Sequence, residues 1–168
     1  KLADLDGSGT TDIVYLGKQQ FTIWLNQHGN GFLADPQVID PFPEVSNMNQ
    51  VAVFDFLGSG TACIVCSSVL PANREQPLRY IDLMNGKKPH LMSGFKNNMG
   101  KEVEWEYKPS TQYYLHDRLE GNPWITKLPF VMHCLAKVTS YDRIMKTRFA
   151  SEYFYHHGYY DHAEREFR

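Results

Sequence analysis

The sequence predicts a mainly β protein with one short helix, in which partial β-propeller blades precede an antiparallel sheet. An Asp/Gly-rich loop followed by a β-like segment starts at Asp4 and again at Asp55, 51 residues later. A period of about 50 residues with β content is typical of propeller blades. Residues 101–108 alternate between polar and apolar side chains, as in a strand buried on one face. Residues 110–120 have the end signals of a short helix.

The overall composition fits a globular chain and argues against two classes of ligand. The chain has 168 residues, of which 42% are hydrophobic, and a formal net charge of −2. A sizeable core can therefore form, and there is no general electrostatic reason to bind nucleic acid or an anionic membrane. No apolar run approaches the ~20 residues of a membrane helix. Because the chain starts inside a motif and without Met, we expect an internal fragment, whose lack of targeting signals says nothing about location.

The first loop has the residue types and spacing of a calcium site. Calcium takes six to eight oxygen ligands, and alternate residues of a tight glycine-containing turn can point at one centre. The alternative is an Asp/Gly-rich turn that is capped without any metal. We expect one Ca²⁺ ion here, bound by the carboxylates of Asp4, Asp6 and Asp12, by the Ser8 hydroxyl or a water on it, and by the Thr10 carbonyl.

The second copy of this loop keeps the glycines but loses two of the three carboxylates. It aligns on the first copy without gaps, with Asp55 in the place of Asp4. Leu57 and Cys63 stand where the first copy has its second and third aspartates. We therefore expect the second loop to form the same turn and to bind no calcium.

The strands of the first half are predicted from β-branched and aromatic runs bounded by turn signals. Residues 35–43 are rich in Pro and predict a connector. The dipeptide Asn85-Gly86 lies between two such runs and predicts a hairpin. The predicted strands are residues 11–16 and 21–26, which form a hairpin through residues 17–20, and residues 78–84 and 89–93.

Strict alternation predicts that the strand at residues 101–108 is dry on one side and wet on the other. A glycosidase needs two carboxylates with different pKa values in a cleft, whereas the carboxylates here have the spacing of a solvated face. We therefore assign them no catalytic role. The side chains predicted to be buried are Val103, Trp105 and Tyr107, and those predicted to be exposed are Glu102, Glu104 and Glu106.

The rest of the second half predicts a helix followed by a long hairpin. Ser110 is the expected N-cap of the helix, and Gly121 is expected to end it. Two long β-like runs follow at residues 133–142 and 148–157. The intervening residues 143–147 are expected to form the turn between them.

Two other groups of possible metal ligands are assigned no metal. Cys63 and Cys66 lie in a β-like segment, where residues three apart face opposite sides, and no second Cys pair completes a zinc site. We expect them to be buried structural thiols. His156 and His157, which lie near Asp161 and His162 in the sequence, are adjacent residues of a β-like segment. Their side chains are therefore also expected to face opposite sides. No phosphate-binding loop or nucleophile elbow is present, so the sequence predicts a protein that is not an enzyme.

Several motifs resemble known families. The two Asp/Gly-rich loops, with their following strands, resemble the FG-GAP/VCBS repeats of integrin-type β-propellers, in which such a loop binds calcium. The second half resembles the B component of bacterial insecticidal toxin complexes, a family that includes SpvB-like virulence proteins. The matching segments are residues 80–91, 97–100, 107–111, 123–130, 138–143 and 155–168.

The resemblance implies an architecture, partners and a location. Residues 1–92 would be two propeller-blade repeats, and residues 93–168 would begin a β-shell of Rhs/YD-repeat type. In that family the propeller docks on the channel-forming A component, and the shell, formed with the C component, encloses a toxic enzyme. The chain would then be a non-catalytic delivery segment of a secreted complex, with no nucleic-acid partner and no direct membrane insertion.

Two other functions remain open from the sequence. One is a calcium-binding extracellular β-propeller for adhesion or glycan binding, which the first repeat alone would support. The other is a propeller enzyme, which would need carboxylates or histidines that converge in a cleft. Flanking FG-GAP repeats would favour the first function, and downstream YD repeats would favour the toxin complex.

Overall fold

The computed structural model describes residues 1–18, 20–40 and 45–168. The chain forms two compact units, unit 1 at residues 1–90 and unit 2 at residues 91–168. All described strand pairs are antiparallel, and the described residues include one α-helix. The prediction of a mainly β protein with one short helix is therefore confirmed. Among the described residues, no helix has the length and apolar character that crossing a membrane requires.

Unit 1 contains two antiparallel sheets in which consecutive strands are neighbours. Such up-and-down order needs only short turns between strands. The first sheet contains β1 (Leu2–Ala3), β2 (Asp12–Leu16), β3 (Phe21–Trp24) and β4 (Gln37–Ile39), in that order. The second sheet contains β5 (Asn49–Phe54), β6 (Cys63–Ser68) and β7 (Leu78–Asp82), also in chain order.

The connector predicted at residues 35–43 is partly a strand. Its residues Gln37–Ile39 form β4, in which Val38 pairs with Thr22 of β3. The register brings an Ile-containing segment beside the hydrophobic strand β3, and this pairing overrides the Pro-rich composition of the flanks. The part of the predicted connector at residues 41–43 lies outside the described residues.

The turn at Asn85-Gly86 forms, but the return strand predicted at residues 89–93 does not. Asn85 and Gly86 both have positive φ, and the Lys87 N–H donates to the Met84 carbonyl at 3.1 Å. The chain then leaves β7, because Pro89 lacks the N–H that a continuing ladder would need and packs instead on the first loop.

One buried cluster joins the two sheets of unit 1. Burial of each large apolar side chain in it contributes about 1.5–3 kcal/mol. Cys63 and Cys66 are free, and the prediction that they are buried is confirmed. The cluster consists of Leu5, Val14, Phe21 and Ile23 from the first repeat and Val51, Ile64 and Cys66 from the second.

Unit 2 is built on a four-stranded antiparallel sheet with a helix and a small hairpin. The strands of the sheet are β8 (Gly94–Lys96), β9 (Lys101–Pro109), β10 (His133–Asp142) and β11 (Thr147–Glu152), with spatial order β11-β10-β9-β8. The helix α1 (Ser110–Leu119) follows β9, and the hairpin consists of β12 (Tyr160–Asp161) and β13 (Glu166–Phe167).

The alternation in β9 correctly predicts which side is apolar, but it overstates the burial. Val103 is buried, whereas Trp105 and Tyr107 are only half-buried. The ring of Trp105 lies 5.8 Å from the ring of Phe95, which belongs to the edge strand β8 and is itself exposed. A tryptophan that packs against an edge residue keeps part of its surface accessible.

The prediction that all three glutamates of β9 are wet is wrong for Glu102. Glu104 and Glu106 are exposed, but the Glu102 side chain is only 20% exposed. Its carboxylate pairs with Lys96 at 3.2 Å and with Arg143 at 2.5 Å. These two cations lower the pKa of the Glu102 carboxyl, with the Arg143 hydrogen bond as the largest contribution.

The helix α1 ends as predicted but begins differently. Pro109 is the N-cap, not Ser110, because the Ser110 hydroxyl accepts a hydrogen bond from the Met132 N–H at 3.1 Å. Gly121 has φ of +85° and its N–H donates to the Arg118 carbonyl. The Asn122 N–H donates to the carbonyl of Asp117, five residues earlier. This is the Schellman arrangement, for which glycine is the preferred residue.

A buried carboxylate ties the helix to the C-terminal part of unit 2. Oδ2 of Asp117 accepts from the Trp124 indole N–H at 2.5 Å and bonds to His156 Nδ1 at 2.8 Å. These bonds turn residues 153–157 toward the helix. They explain why β11 ends at Glu152 instead of continuing through the predicted strand 148–157.

Unit 2 contains the same type of hairpin twice, 19 residues apart. We call residues 141–148 the first Tyr-Asp hairpin and residues 160–167 the second Tyr-Asp hairpin. In each one, Oδ1 of the aspartate, Asp142 or Asp161, accepts the N–H groups of the residues two and three positions later. The same cap therefore closes both turns, and the turn predicted at residues 143–147 is confirmed.

The contacts of Asp117 predict a pH dependence for unit 2. Hydrogen bonds from His156 and Trp124 lower the pKa of the Asp117 carboxyl below its ordinary value of 3.8. The stabilisation from the ionised form is complete above the ordinary pKa and is lost as the pH falls through the lowered pKa. We expect the free energy of unfolding, measured with urea, to decrease from about pH 5 to pH 2 and to decrease less in Asp117→Asn. Glu106→Gln, which removes an exposed carboxylate, should behave as the wild type, and an unchanged slope in Asp117→Asn would contradict the prediction.

Candidate metal centre

The first loop is a tight turn closed by its own aspartates. Oδ2 of Asp4 accepts the Gly9 N–H at 2.9 Å, and Oδ1 of Asp6 accepts the Ser8 N–H at 2.9 Å. Gly7 and Gly9 have φ of +70° and +85°, a region that L side chains rarely adopt. A Cβ at Gly7 would also lie 2.8 Å from a neighbouring proline ring, so glycine is required there.

The turn brings the three predicted carboxylate ligands together. One oxygen each from Asp4, Asp6 and Asp12 lies within 4.8 Å of the other two. Asp12 is fully buried, and the other two aspartates are half-buried. Oδ1 of Asp4 is a buried acceptor without a hydrogen-bond partner, which a hard cation would satisfy. The donor set and this orphaned oxygen fit a calcium ion, and this group is the only one of its kind in the described part of the chain.

Asp12 has a structural role that the sequence analysis missed. Its Oδ2 accepts the Leu5 N–H and its Oδ1 accepts the Asn26 N–H, each at 2.8 Å. The side chain therefore bridges the start of the loop to the end of β3. Each carboxylate oxygen has a second lone pair, so this role does not prevent it from binding a cation.

The two hydroxyl residues of the predicted site lie next to each other. Ser8 Oγ and Thr10 Oγ1 are 2.8 Å apart, and Thr10 Oγ1 also donates to the Asn26 carbonyl at 3.5 Å. Partial burial raises the pKa of the Asp6 carboxyl, but the hydrogen bonds from Ser8 outweigh it and the net pKa is lowered. Asp6 is therefore ionised at neutral pH, as a metal ligand must be.

Basic residues from a distant segment partly neutralise the loop. Lys88 Nζ donates to the Gly7 carbonyl at 3.2 Å. His90 contributes to lowering the pKa of Asp6 through its charge. These two residues lie about 80 positions away from the loop in the chain. Pro89, which lies between them in the chain, packs against Gly7 of the loop.

The second loop forms the predicted turn, and it lacks the three carboxylates of the first loop. Oδ1 and Oδ2 of Asp55 accept the N–H groups of Ser59 and Gly60, at 3.0 and 2.7 Å. Ser59 Oγ and Thr61 Oγ1 are 2.9 Å apart, and the matching hydroxyls of Ser8 and Thr10 in the first loop are 2.8 Å apart. The turn therefore forms with a single carboxylate.

A thiol replaces the bridging carboxylate in the second loop. Cys63, which corresponds to Asp12, is also fully buried, and the nearby Phe56 backbone N–H opposes the rise in the pKa of its thiol that burial causes. Phe56 corresponds to Leu5, whose N–H bonds to Asp12. The equivalent backbone N–H group thus lies beside a carboxylate in the first repeat and beside a thiol in the second. This substitution keeps the turn and removes a hard ligand for calcium.

The histidines near the C-terminus do not form a metal site in the described structure. Nδ1 of His156 is bonded to Asp117. His157 has φ of +55°, which directs the chain away from a strand. His162 packs edge-on against Tyr160 with ring centroids 4.9 Å apart. These contacts are structural and differ for each histidine.

The comparisons with known proteins agree on one family. Residues 26–168 match the family described as the insecticide toxin TcdB middle/N-terminal region. A crystal structure of TcdB2-TccC3 is similar over 99% of this chain, with 31% sequence identity and a TM-score of 0.80. Crystal structures of TcdB2-TccC3-Cdc42 and of TcdB2-TccC3 without its hypervariable C-terminal region match over 99% of this chain, with 32% identity and TM-scores of 0.81 and 0.80.

The matched region is a small part of those structures. The chain spans only 8% of the length of the TcdB2-TccC3 chains that it matches. No curated protein has a significant sequence match to it.

The bridge made by Asp12 predicts a loss of stability that does not depend on metal. In buffer with a chelator, Asp12→Ala leaves two N–H groups without their acceptor and should cost at least about 2 kcal/mol of unfolding free energy. Asp12→Cys, which copies the second loop, should cost less. Urea unfolding measures both, with Ser8→Ala as the control in the same turn. A cost below about 0.5 kcal/mol for Asp12→Ala would show that the bridge is unimportant.

Proposed function

This chain belongs to the insecticide toxin TcdB middle/N-terminal region family, and we propose on that basis that its parent protein is the B component of a secreted bacterial toxin complex. In this proposal the segment is structural and performs no chemical step. The observation that carries the proposal is the family match, which includes the whole of unit 2 and most of unit 1.

Unit 1 supplies two blades of a propeller in this proposal. Its two sheets are antiparallel meanders in chain order, which is the arrangement of strands within a propeller blade. The two Asp/Gly-rich loops are 51 residues apart and share the bond from a glycine N–H to the first aspartate and the contact between two hydroxyls, so we take them as equivalent positions in successive blades. By resemblance to the family, the complete propeller docks on the channel-forming A component.

Unit 2 begins the shell that encloses the toxic enzyme. Its sheet has an apolar side with Val103 and a side with the exposed carboxylates Glu104 and Glu106. A wall with one wet face can hold a partly unfolded cargo without presenting an apolar surface that would trap it. The two Tyr-Asp hairpins support a shell of YD-repeat type, which in this family is completed by the C component.

The ionisable groups of the chain support a non-catalytic role. Burial raises the pKa of the thiols of Cys63, Cys66 and Cys134. These cysteines are therefore protonated at neutral pH, whereas a nucleophilic cysteine must be a thiolate. The carboxylate of Asp117, which orients His156, is occupied by Trp124 and holds the fold together.

The alternative of a calcium-binding adhesion or glycan-binding module is not favoured. Such a module needs only the propeller repeats of unit 1. The family match extends through residue 168 and so includes all of unit 2. The propeller-enzyme alternative lacks support as well, because the converging carboxylates of the first loop are acceptors in a turn.

We assign calcium a local stabilising role in unit 1. One ion at Asp4, Asp6 and Asp12, with Ser8 and Thr10 beside them, would neutralise three carboxylates that otherwise repel one another. The ion would stiffen the edge of the first blade and would take part in no chemical step. The second loop needs no ion, because it has only one carboxylate.

Calorimetry of the parent protein tests the calcium assignment. Asp4→Asn combined with Asp6→Asn should abolish the heat of calcium binding, while the bridge made by Asp12 stays intact. The control is Asp55→Asn, which makes the corresponding change in the second loop and should leave the heat unchanged. Equal calcium binding by the double variant and the wild type would refute the site.

Deletion of unit 1, residues 1–90, from the parent protein tests the proposed function. We expect the deletion to abolish docking on the channel component and killing of target cells, because the propeller can no longer close. The toxic enzyme should keep its activity in a cell-free assay, because it lies in another segment. Loss of enzymatic turnover itself would show that this segment takes part in catalysis and would overturn the proposal.

A further inference from the structure

The first Tyr-Asp hairpin forms a small cleft with an excess of positive charge. The cleft has a volume of about 170 Å³ and opens to solvent. Its lining includes three basic side chains and a single carboxylate. The lining residues are Tyr141, Asp142, Arg143, Lys146, Thr147 and Arg148.

Arg143 is held in position but is not fully neutralised. Its Nε and Nη2 donate to Glu102 at 2.9 and 2.5 Å, and its guanidinium lies 4.9 Å from the centre of the Tyr141 ring. Glu102 is shared with Lys96, so one carboxylate serves two cations. The remaining N–H groups of Arg143 do not bond to Glu102. The planar guanidinium group, which Glu102 holds, fixes their direction.

The other two cations of the cleft are not paired with a carboxylate in the part of the chain that the structure describes. Within the described residues, neither Lys146 nor Arg148 forms an ion pair. Arg148 lies 5.8 Å from the Tyr141 ring, on the neighbouring strand β11. The carboxylate of Asp142 faces the turn, because its Oδ1 accepts two backbone N–H groups there. The positive charge is therefore concentrated and available.

The second Tyr-Asp hairpin shows that the turn does not require these arginines. His162 stands in the place of Arg143, and Phe167 stands in the place of Arg148. Their rings lie 4.9 and 4.8 Å from the ring of Tyr160. The same cap and the same tyrosine thus accommodate aromatic neighbours in place of the two arginines. This type of turn therefore forms without arginines at the places of Arg143 and Arg148, whereas a basic residue, Arg165, is kept at the place of Lys146.

We propose that the cleft of the first Tyr-Asp hairpin binds a phosphate or sulfate group. Guanidinium groups match the geometry of these oxyanions and can bind them through two parallel N–H donors. Lys146 adds a point charge at the turn, and the Thr147 hydroxyl adds a donor. A cleft of about 170 Å³ accommodates one such group together with the first atoms of the molecule that carries it. Because the cleft is open, the group can be a free ion or the headgroup of an anionic lipid.

Titration of the full chain with inorganic phosphate and with sulfate, followed by calorimetry or NMR, tests this proposal. Arg143→His combined with Arg148→Phe copies the second hairpin and should raise the dissociation constant at least tenfold while the fold is kept. Lys146→Asn removes one charge and suits the φ of +55° at this position, so it should weaken binding with no backbone strain. The control is Arg74→His with Arg118→Phe, which makes the same change at two exposed arginines outside the cleft.

Vesicles of phosphatidylcholine with and without phosphatidylserine separate the two sources of the group. Co-sedimentation that needs the anionic lipid and is lost in the double variant would identify a lipid headgroup. Binding of the free ions without vesicle binding would identify a soluble ligand. The proposal is overturned if neither ion binds at up to about 10 mM, or if the cleft variants bind as tightly as the Arg74/Arg118 control.

Discussion

Hydrogen bonds from backbone N–H groups to aspartate and asparagine side chains determine how this chain reverses direction. A tight turn leaves several N–H groups without a partner from the sheet, and a buried or half-buried donor without an acceptor is costly. In both units a short acidic or amide side chain accepts two of these donors at once. The residues that do so are Asp12, Asp55, Asp82, Asn97, Asp142 and Asp161. The strands pack as they do because these turns place them in register.

The prediction from sequence succeeded where the pattern is local. The alternation in residues 101–108 and the run at residues 133–142 identified β9 and β10, and Gly121 correctly marked the end of the helix. Three aspartates in one turn were correctly placed close together. Each of these features depends on neighbours within about ten residues, for which periodicity and turn chemistry are direct signals.

The prediction failed where contacts between distant residues decide the outcome. Ser110 has a side chain suited to an N-cap, but its hydroxyl accepts a hydrogen bond from the Met132 N–H instead. The positive charge of Lys88 reaches the first loop only through the folded chain. The second Tyr-Asp hairpin is a different case, because its signal was present in the sequence. The Tyr-Asp pair at residue 141 recurs at residue 160, and a search for short repeats would have found it.

The Tyr-Asp hairpins also have a consequence for the order of folding. Every bond of the Asp142 cap joins residues at most three positions apart, so such a turn can form in about 1–10 μs. The bond between Asp117 and His156, in contrast, closes a loop of 39 residues and must wait for that chain to be made. During synthesis the first Tyr-Asp hairpin, at residues 141–148, can therefore be complete before His156 is made and bonds to the helix. In the proposed shell, such hairpins can form one at a time as the ribosome adds residues.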